Sequence, residues 1–157
     1  MGKYGKRAEQ LFMEGYNCSQ AVLLSYSDLT GLDDKTAAML ASGFGGGMGR
    51  MREVCGAVSG MFIVLGIVAG YNDPSDAQGK KSTYAAIQEL ASRFRKENGS
   101  IICKELLGLS KPEGTYIPEE RTNEYYKKRP CPKIVCMAAD ILEEYLDEHG
   151  YLTGKGI

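Results

Sequence analysis

The chain has 157 residues, of which 43% are hydrophobic and 25% are charged, and its formal net charge at pH 7 is −1. This length and composition predict a single globular domain over residues 1–157. The near-neutral charge argues against a nucleic-acid binder, and the single histidine argues against most histidine-based metal sites and against Ser-His or Cys-His catalysis.

Apolar residues recur with the period of an α-helix, whereas the alternation typical of strands is hard to find. The first predicted helix carries an apolar stripe made of Tyr4, Ala8, Leu11 and Phe12. Asn17 is the predicted N-cap of a second helix, "CSQAVLLSYSDL", which begins at Cys18. Asp33 or Asp34 is the predicted N-cap of a third helix, "KTAAMLASGF".

A glycine cluster, "GFGGGMG", separates the third helix from a fourth, which begins near Cys55 and is apolar throughout. Glycines recur in this fourth helix at intervals of four residues, first at Gly56 and Gly60 and then at Gly66 and Gly70. Such spacing lets another helix approach closely. A homodimer formed through this helix is therefore one expected assembly.

The next stretch predicts one long and one short helix. Ser75, within the turn "YNDPSD", is the predicted N-cap of the fifth helix, which closes at Asn98–Gly99. Ser100 is the predicted N-cap of a short sixth helix that contains Cys103.

The polar segment 108–130 predicts an ordered surface loop, and loops of this length are often functional. Its tyrosines are expected either against the bundle or over the cysteines. Pro132 opens the last predicted helix, which ends at Gly150. We therefore predict an all-α fold, a compact bundle of about six to seven helices.

We expect no targeting signal in this chain. The N-terminal segment lacks an apolar stretch of the signal-peptide type, and Lys6 stands where a myristoylation motif needs serine or threonine. The longest apolar run, Ala57 to Gly70, is shorter than the roughly 20 residues that a membrane span requires. We therefore expect a cytoplasmic protein without a membrane span, in which cysteines serve as ligands or redox groups more often than as structural disulfides.

Four of the five cysteines fall at predicted helix starts, namely Cys18, Cys55, Cys103 and Cys131, whereas Cys136 lies a turn further in. The unpaired N–H groups and partial positive charge of a helix N-terminus stabilise a thiolate over a thiol. Two of these cysteines follow cationic residues in the sequence. Arg50 and Arg52 precede Cys55, and Lys127, Lys128 and Arg129 precede Cys131. Lowered thiol pKa values are therefore expected.

If these helix starts converge on one end of the bundle, the thiolates share one pocket. Such a pocket suits dithiol–disulfide exchange, or ligation of a metal or iron–sulfur cluster. The sequence has no Cys-x-x-Cys pair and matches neither a zinc ribbon nor a ferredoxin. On the residues alone, cysteines that merely fill gaps at helix ends remain an alternative.

Several motifs occur in a fixed order along nearly the whole chain: "NCSQAVL", "GGGMGR", the box "CGAVSG" that begins at Cys55, "CKELLG" and "CPKIVCMAADILEEYL". In this the chain resembles the C_GCAxxG_C_C family of redox-active proteins, to which domains of split-Soret cytochromes are related. The resemblance implies four site cysteines, which we match to Cys18, Cys55, Cys103 and Cys131. Cys136 is then surplus, although it and Cys131 can be exchanged in this assignment. The haem of the cytochromes is not expected, because the chain has no Cys-x-x-Cys-His site.

The glycine cluster does not fit a nucleotide-binding loop. No register of "GFGGGMGR" matches Gly-x-Gly-x-x-Gly, Gly-Lys-Ser/Thr is absent and no strand precedes the cluster, so no nucleotide is expected. A nest of backbone N–H groups can nevertheless hold an anion or a cluster sulfide. The candidate cofactor-binding glycines are Gly45, Gly46, Gly47 and Gly56. Alternatively, these glycines only let the chain turn tightly and bring backbone close to Cys55.

Three hypotheses about function follow. The favoured one is electron transfer by an iron–sulfur cluster or other thiolate-bound metal, with an unidentified redox partner protein. Its candidate ligands are Cys18, Cys55, Cys103, Cys131 and Cys136. The second hypothesis is a thiol–disulfide oxidoreductase without metal, in which Cys55 is the attacking thiolate. The third is a non-redox binding or structural module in which the cysteines only pack.

Overall fold

The computed structural model describes residues 1–152, so the end of the predicted domain, residues 153–157, lies outside the described residues. The described part contains nine α-helices: α1 Lys3–Met13, α2 Cys18–Ser25, α3 Ser27–Thr30, α4 Asp34–Ala41, α5 Gly56–Ala69, α6 Ala77–Asn98, α7 Cys103–Leu106, α8 Asn123–Lys128 and α9 Cys131–Glu148. A 3₁₀ turn, Ser42–Phe44, follows α4.

The predicted all-α class is confirmed, since residues 1–152 contain no strand. Two short helices raise the number above the predicted six to seven. One is α3, which separates from the end of the predicted second helix at Tyr26. The other is α8, which lies within the segment 108–130 that was expected to be a loop.

Capping residues explain where several helices begin. The Asn17 side chain accepts a hydrogen bond from the Gln20 N–H at 2.9 Å, and the Gln20 side chain accepts one from the Asn17 N–H at 3.0 Å. This reciprocal pair is a capping box and confirms Asn17 as the N-cap of α2. Asp33 caps α4. Asp76 rather than the expected Ser75 caps α6.

The centre of the core is formed by α2 and α5, and most residues of both helices are buried. Val22 and Leu23 of α2 and Val58 and Met61 of α5 are completely buried. Burying a side chain of this size contributes roughly 1.5–3 kcal/mol. Helices α1, α6 and α9 pack around this pair. Within residues 1–152, no helix combines the length and the apolar character that a membrane crossing requires.

Two glycines let α5 approach α2 closely. A Cβ atom placed on Gly60 would lie 2.8 Å from the Ser19 carbonyl oxygen, and one placed on Gly56 would lie 2.4 Å from Cys18 Sγ. The predicted close approach is thus confirmed at the start of α5. At the end of the helix, no other helix within residues 1–152 lies against Gly66, and the three atoms nearest a Cβ placed on Gly70 belong to the Gly66 backbone. The homodimer through this helix stays a prediction.

The start of α1 is held by carboxylates from α9. The Gly2 N–H donates to Asp140 Oδ1 at 2.9 Å and the Tyr4 N–H donates to Glu143 Oε2 at 3.4 Å. These acceptors satisfy N–H groups that a helix start leaves unpaired, and their negative charge suits the positive end of the helix dipole.

We expect the two kinds of glycine in α5 to respond oppositely to alanine. Gly60→Ala forces a Cβ against backbone and should lower the free energy of unfolding by roughly 1–3 kcal/mol. Gly66→Ala is the matched control: it removes an exposed helical glycine and should leave stability unchanged or raise it by about 0.5–1 kcal/mol. Urea denaturation followed by circular dichroism measures both. Equal effects of the two substitutions would contradict the α2–α5 packing described above.

Candidate functional site

Four cysteines line a single cavity of about 70 Å³. We call it the thiol cavity, and its cysteines are Cys18, Cys55, Cys103 and Cys131. Apolar and cationic side chains complete much of its wall, including Phe12, Leu106, Ile134, Arg52, Arg121 and Arg129.

Each of the four cysteines comes from a different helix start. Cys18, Cys103 and Cys131 are the first residues of α2, α7 and α9, and Cys55 is the N-cap of α5. Cys131 was expected at an N-cap, but Pro130 takes that position. The helix starts therefore converge as the sequence suggests.

Cys136 does not line the thiol cavity. It lies within α9 and its Sγ is 3.8 Å from Asp140 Oδ2, to which the thiol donates. Burial raises the pKa of Cys136 to about 11, and the neighbouring Asp140 carboxylate adds to the rise. The structure thus groups Cys131, rather than Cys136, with the other three cysteines.

A short backbone pairing joins the segments that carry Cys55 and Cys103. The Cys55 N–H donates to the Ile101 carbonyl at 2.8 Å, and the Cys103 N–H donates to the Glu53 carbonyl at 2.6 Å. The pairing contains one antiparallel bridge. It is too short to produce the alternating pattern that identifies strands in a sequence, so no pattern in the sequence indicates it.

The segment between α4 and α5 has an unusual backbone. Its glycines at 46, 47 and 49 have positive φ, and so do the non-glycine residues Met48, Arg50 and Arg52, at 65°, 66° and 62°. Such a conformation costs a non-glycine residue roughly 1–2 kcal/mol. Hydrogen bonds within the segment offset this cost; the Arg52 N–H, for example, donates to the Gly46 carbonyl at 3.2 Å.

The candidate glycines pack against the cysteines and the cap of α2. A Cβ atom would lie 2.6 Å from Cys103 Cβ if placed on Gly47, and 2.6 Å from Asn17 Cγ if placed on Gly45. Gly46 lines the thiol cavity itself. These contacts agree with the interpretation that the glycines bring backbone close to the cysteines.

Arg52 contacts Cys103 rather than the expected Cys55. Its Nη1 donates to Cys103 Sγ at 3.6 Å, and its Nη2 lies 3.2 Å from both carboxylate oxygens of Glu113. The other expected cation, Arg50, forms an ion pair with the same Glu113 at 2.8 Å. Adjacency in sequence therefore did not indicate which thiol the guanidinium groups face.

The expectation of lowered thiol pKa values is wrong. Burial raises the pKa of Cys55, of Cys103 and, to about 12, of Cys131. Some neighbouring groups do favour the thiolate. The N–H groups of Val58 and Ala57 lower the pKa of Cys55, and the Arg52 guanidinium lowers that of Cys103. Desolvation of the charged form outweighs them. These three cysteines are consequently neutral thiols at pH 7 in the metal-free protein.

Arg121 fastens segment 108–130 to the bundle. It donates to the carbonyls of Phe12 and Tyr16, at 3.0 and 3.1 Å, and its guanidinium lies 4.1 Å from the Phe12 ring centroid. Both alternatives for the tyrosines occur, since Tyr125 lines the thiol cavity and Tyr126 packs edge-on against Phe12. For Tyr116, which is exposed, both were wrong. No pattern in the sequence identified Arg121 as a functional residue.

The thiols surround a space instead of meeting at a point. In the part of the chain that the structure describes, no three histidine, cysteine, aspartate or glutamate side chains are arranged to hold one metal ion. A preformed single-ion site of the zinc type is therefore not part of this arrangement.

The fold and the site together define a small all-helical protein with a cavity built from four cysteines. The chain belongs to the family described as "Putative redox-active protein (C_GCAxxG_C_C)", which it matches over residues 16–145. That stretch includes all five cysteines. No curated protein and no solved structure matches the sequence closely enough for comparison.

The raised thiol pKa values predict a loss of stability at high pH. Cys131 has an ordinary pKa of 9.0 and a folded value of about 12, so between these values the unfolded chain binds fewer protons than the native one. The free energy of unfolding should then fall as the pH rises from 9 towards 12.

Urea denaturation of the reduced, metal-free protein at pH 7, 9 and 10 measures this dependence. The Cys131→Ala variant should show a weaker dependence between pH 9 and 10, because it lacks the buried thiol. An identical slope in both proteins would show that Cys131 is not held as a neutral thiol.

Proposed function

We propose that the protein transfers electrons by means of an iron–sulfur or related thiolate-bound metal cluster held in the thiol cavity. The observation that carries the proposal is that Cys18, Cys55, Cys103 and Cys131 line one cavity, while Cys136 lies outside it. Cysteine thiolates are the ligands that such clusters use, and a bound cluster supplies one-electron transfer. We further propose that the protein acts in the cytoplasm with a separate redox partner protein.

The cavity suits a group of several atoms better than a single ion. A single zinc-type ion draws its thiolates to about 2.3 Å, and residues 1–152 contain no arrangement of this kind. The thiol cavity measures about 70 Å³.

Positive side chains around the cavity favour bound thiolates. Ligation requires that the thiols lose their protons, and burial opposes this loss. Arg52 lies against Cys103, and the Arg129 and Arg121 guanidinium groups lower the pKa of Cys131. These groups offset part of the negative charge that four thiolates bring into a buried place.

Apolar side chains limit the access of water to the same place. Phe12 is 1% exposed and Ile134 is 7% exposed, and both line the cavity. Solvent exposure and hydrogen bonds to the sulfurs are two of the factors that set the potential of a cluster. We therefore expect the Arg52–Cys103 hydrogen bond to affect the reduction potential.

Thiol–disulfide exchange in the same cavity is the second candidate function. The Arg52–Cys103 hydrogen bond favours it, because a guanidinium stabilises the thiolate that attacks. Cys103, rather than the expected Cys55, is then the attacking thiolate. It would displace one sulfur of a partner disulfide and form a mixed disulfide with the other. A second cavity thiolate would then attack Cys103 Sγ and release the partner's remaining sulfur, which leaves a disulfide in the cavity and passes two electrons from the two cavity thiols to the partner.

Serine variants test the cluster proposal. After anaerobic reconstitution with iron and sulfide, the wild-type protein should be coloured and contain both elements. Single changes of Cys18, Cys55, Cys103 or Cys131 to serine should each abolish or sharply reduce the iron and sulfide content, because each removes a ligand. Cys136→Ser is the matched control and should bind as the wild type does.

Metal and sulfide analysis with visible absorbance gives the readout. If the wild-type protein is colourless and contains no iron, and its thiols cycle with a dithiol, the result contradicts the cluster proposal and favours thiol–disulfide exchange. Slow alkylation of all four thiols together with the absence of iron and of disulfide cycling would contradict both candidates.

A further inference from the structure

A second cavity, of about 270 Å³, adjoins the thiol cavity. We call it the arginine cavity, because four arginines line it: Arg50, Arg52, Arg121 and Arg129. Three of them, all but Arg50, also line the thiol cavity. Its remaining wall includes the backbone of Gly46 and the apolar surfaces of Tyr116 and Pro118.

The charges around this cavity do not balance. Arg50 and Arg52 share the single carboxylate of Glu113, and Arg129 pairs with Glu119. Arg121 forms no ion pair with a described carboxylate and donates to backbone carbonyls and to the Tyr126 hydroxyl. Within residues 1–152, four guanidinium groups thus face two carboxylates, which leaves an excess of positive charge in a partly enclosed place.

One donor in this group is buried without a partner. Arg52 is 6% exposed, and its Nε makes no hydrogen bond to any described residue. Its two terminal nitrogens are occupied by Cys103 and Glu113. A buried unpaired donor costs stability unless something accepts its hydrogen bond. Because Nε is itself fully buried, Arg52 acts on the arginine cavity through its positive charge and not through this donor.

We propose that the arginine cavity binds the oxyanion group of a small organic anion, a carboxylate or a phosphate monoester. The Arg50 guanidinium is the donor assigned to the oxyanion, since planar guanidinium groups match such oxygens, and the other three arginines add positive charge. Tyr116 and Pro118 provide an apolar surface for the body of the molecule. The cavity is just below the usual 300–1,000 Å³ of small-molecule sites and exceeds the needs of an inorganic ion.

This site is separate from the proposed cluster. None of the four cysteines lines the arginine cavity, so binding of the anion requires no metal. Because Arg52 lines both cavities, the bound molecule would nevertheless lie beside the thiols.

Calorimetry on the reduced, metal-free protein at low ionic strength tests the inference, with phenyl phosphate, benzoate and inorganic sulfate as probes. One of the organic probes should bind at one site per chain, more tightly than sulfate. Arg50→Met should weaken this binding by about tenfold or more, because it removes a charged donor. Arg95→Met is the control, since it removes an exposed arginine of α6 and should not change the affinity.

A second variant and a spectroscopic readout test the inference even if Arg50→Met does not fold. Tyr116 is 87% exposed, so Tyr116→Ala should fold normally and weaken the organic probes while leaving sulfate unchanged. The backbone amide resonances of Gly45 and Gly46 should shift when a probe is added. Sulfate binding as tightly as the organic probes would keep the oxyanion site but assign it to an inorganic ion.

Two results would overturn the inference. One is the absence of binding by all three probes at millimolar concentration. The other is binding that neither Arg50→Met nor Tyr116→Ala changes and that leaves the glycine resonances in place. Both results are independent of iron and sulfide binding, so either proposal, the anion site or the cluster, can be contradicted without the other.

Discussion

The contact between the start of α2 and the start of α5 holds Cys18 beside Cys55, and the rest of the site is arranged around it. Gly56 makes this contact possible, because a side chain there would overlap Cys18 Sγ. The same two helices form the buried centre of the core. The packing that stabilises the fold is therefore also the packing that brings the first two thiols together.

Different contacts position the other two thiols, those of Cys103 and Cys131. Cys103 is fixed by backbone hydrogen bonds to the residues just before α5, whereas Cys131 is carried by α9, whose apolar face is buried in the core. Burial then decides the chemistry of the group. Burial raises the pKa of Cys55 and of Cys131. The surrounding arginines and any bound cation therefore determine whether thiolates form.

The helix starts that carry the cysteines, and their grouping, were predictable from the sequence, whereas the contacts and solvation of the individual thiols were not. Helical periodicity and the cap residue Asn17 placed Cys18 at a helix start, because caps act over three or four residues. The predicted cap Ser75 was wrong, and Asp76 takes that position, since neighbouring cap formers compete within one turn. The contact of Arg52 with Cys103 and the desolvation of the thiols depend on residues distant in sequence, which no local pattern records.

Anomalous diffraction at the iron absorption edge, from crystals of the anaerobically reconstituted protein, tests the central claim most directly. We expect an iron peak in the thiol cavity, within bonding distance of the sulfurs of Cys18, Cys55, Cys103 and Cys131. An iron peak only at the protein surface, or no peak between these four sulfurs, would contradict the assignment of the cavity as a cluster site.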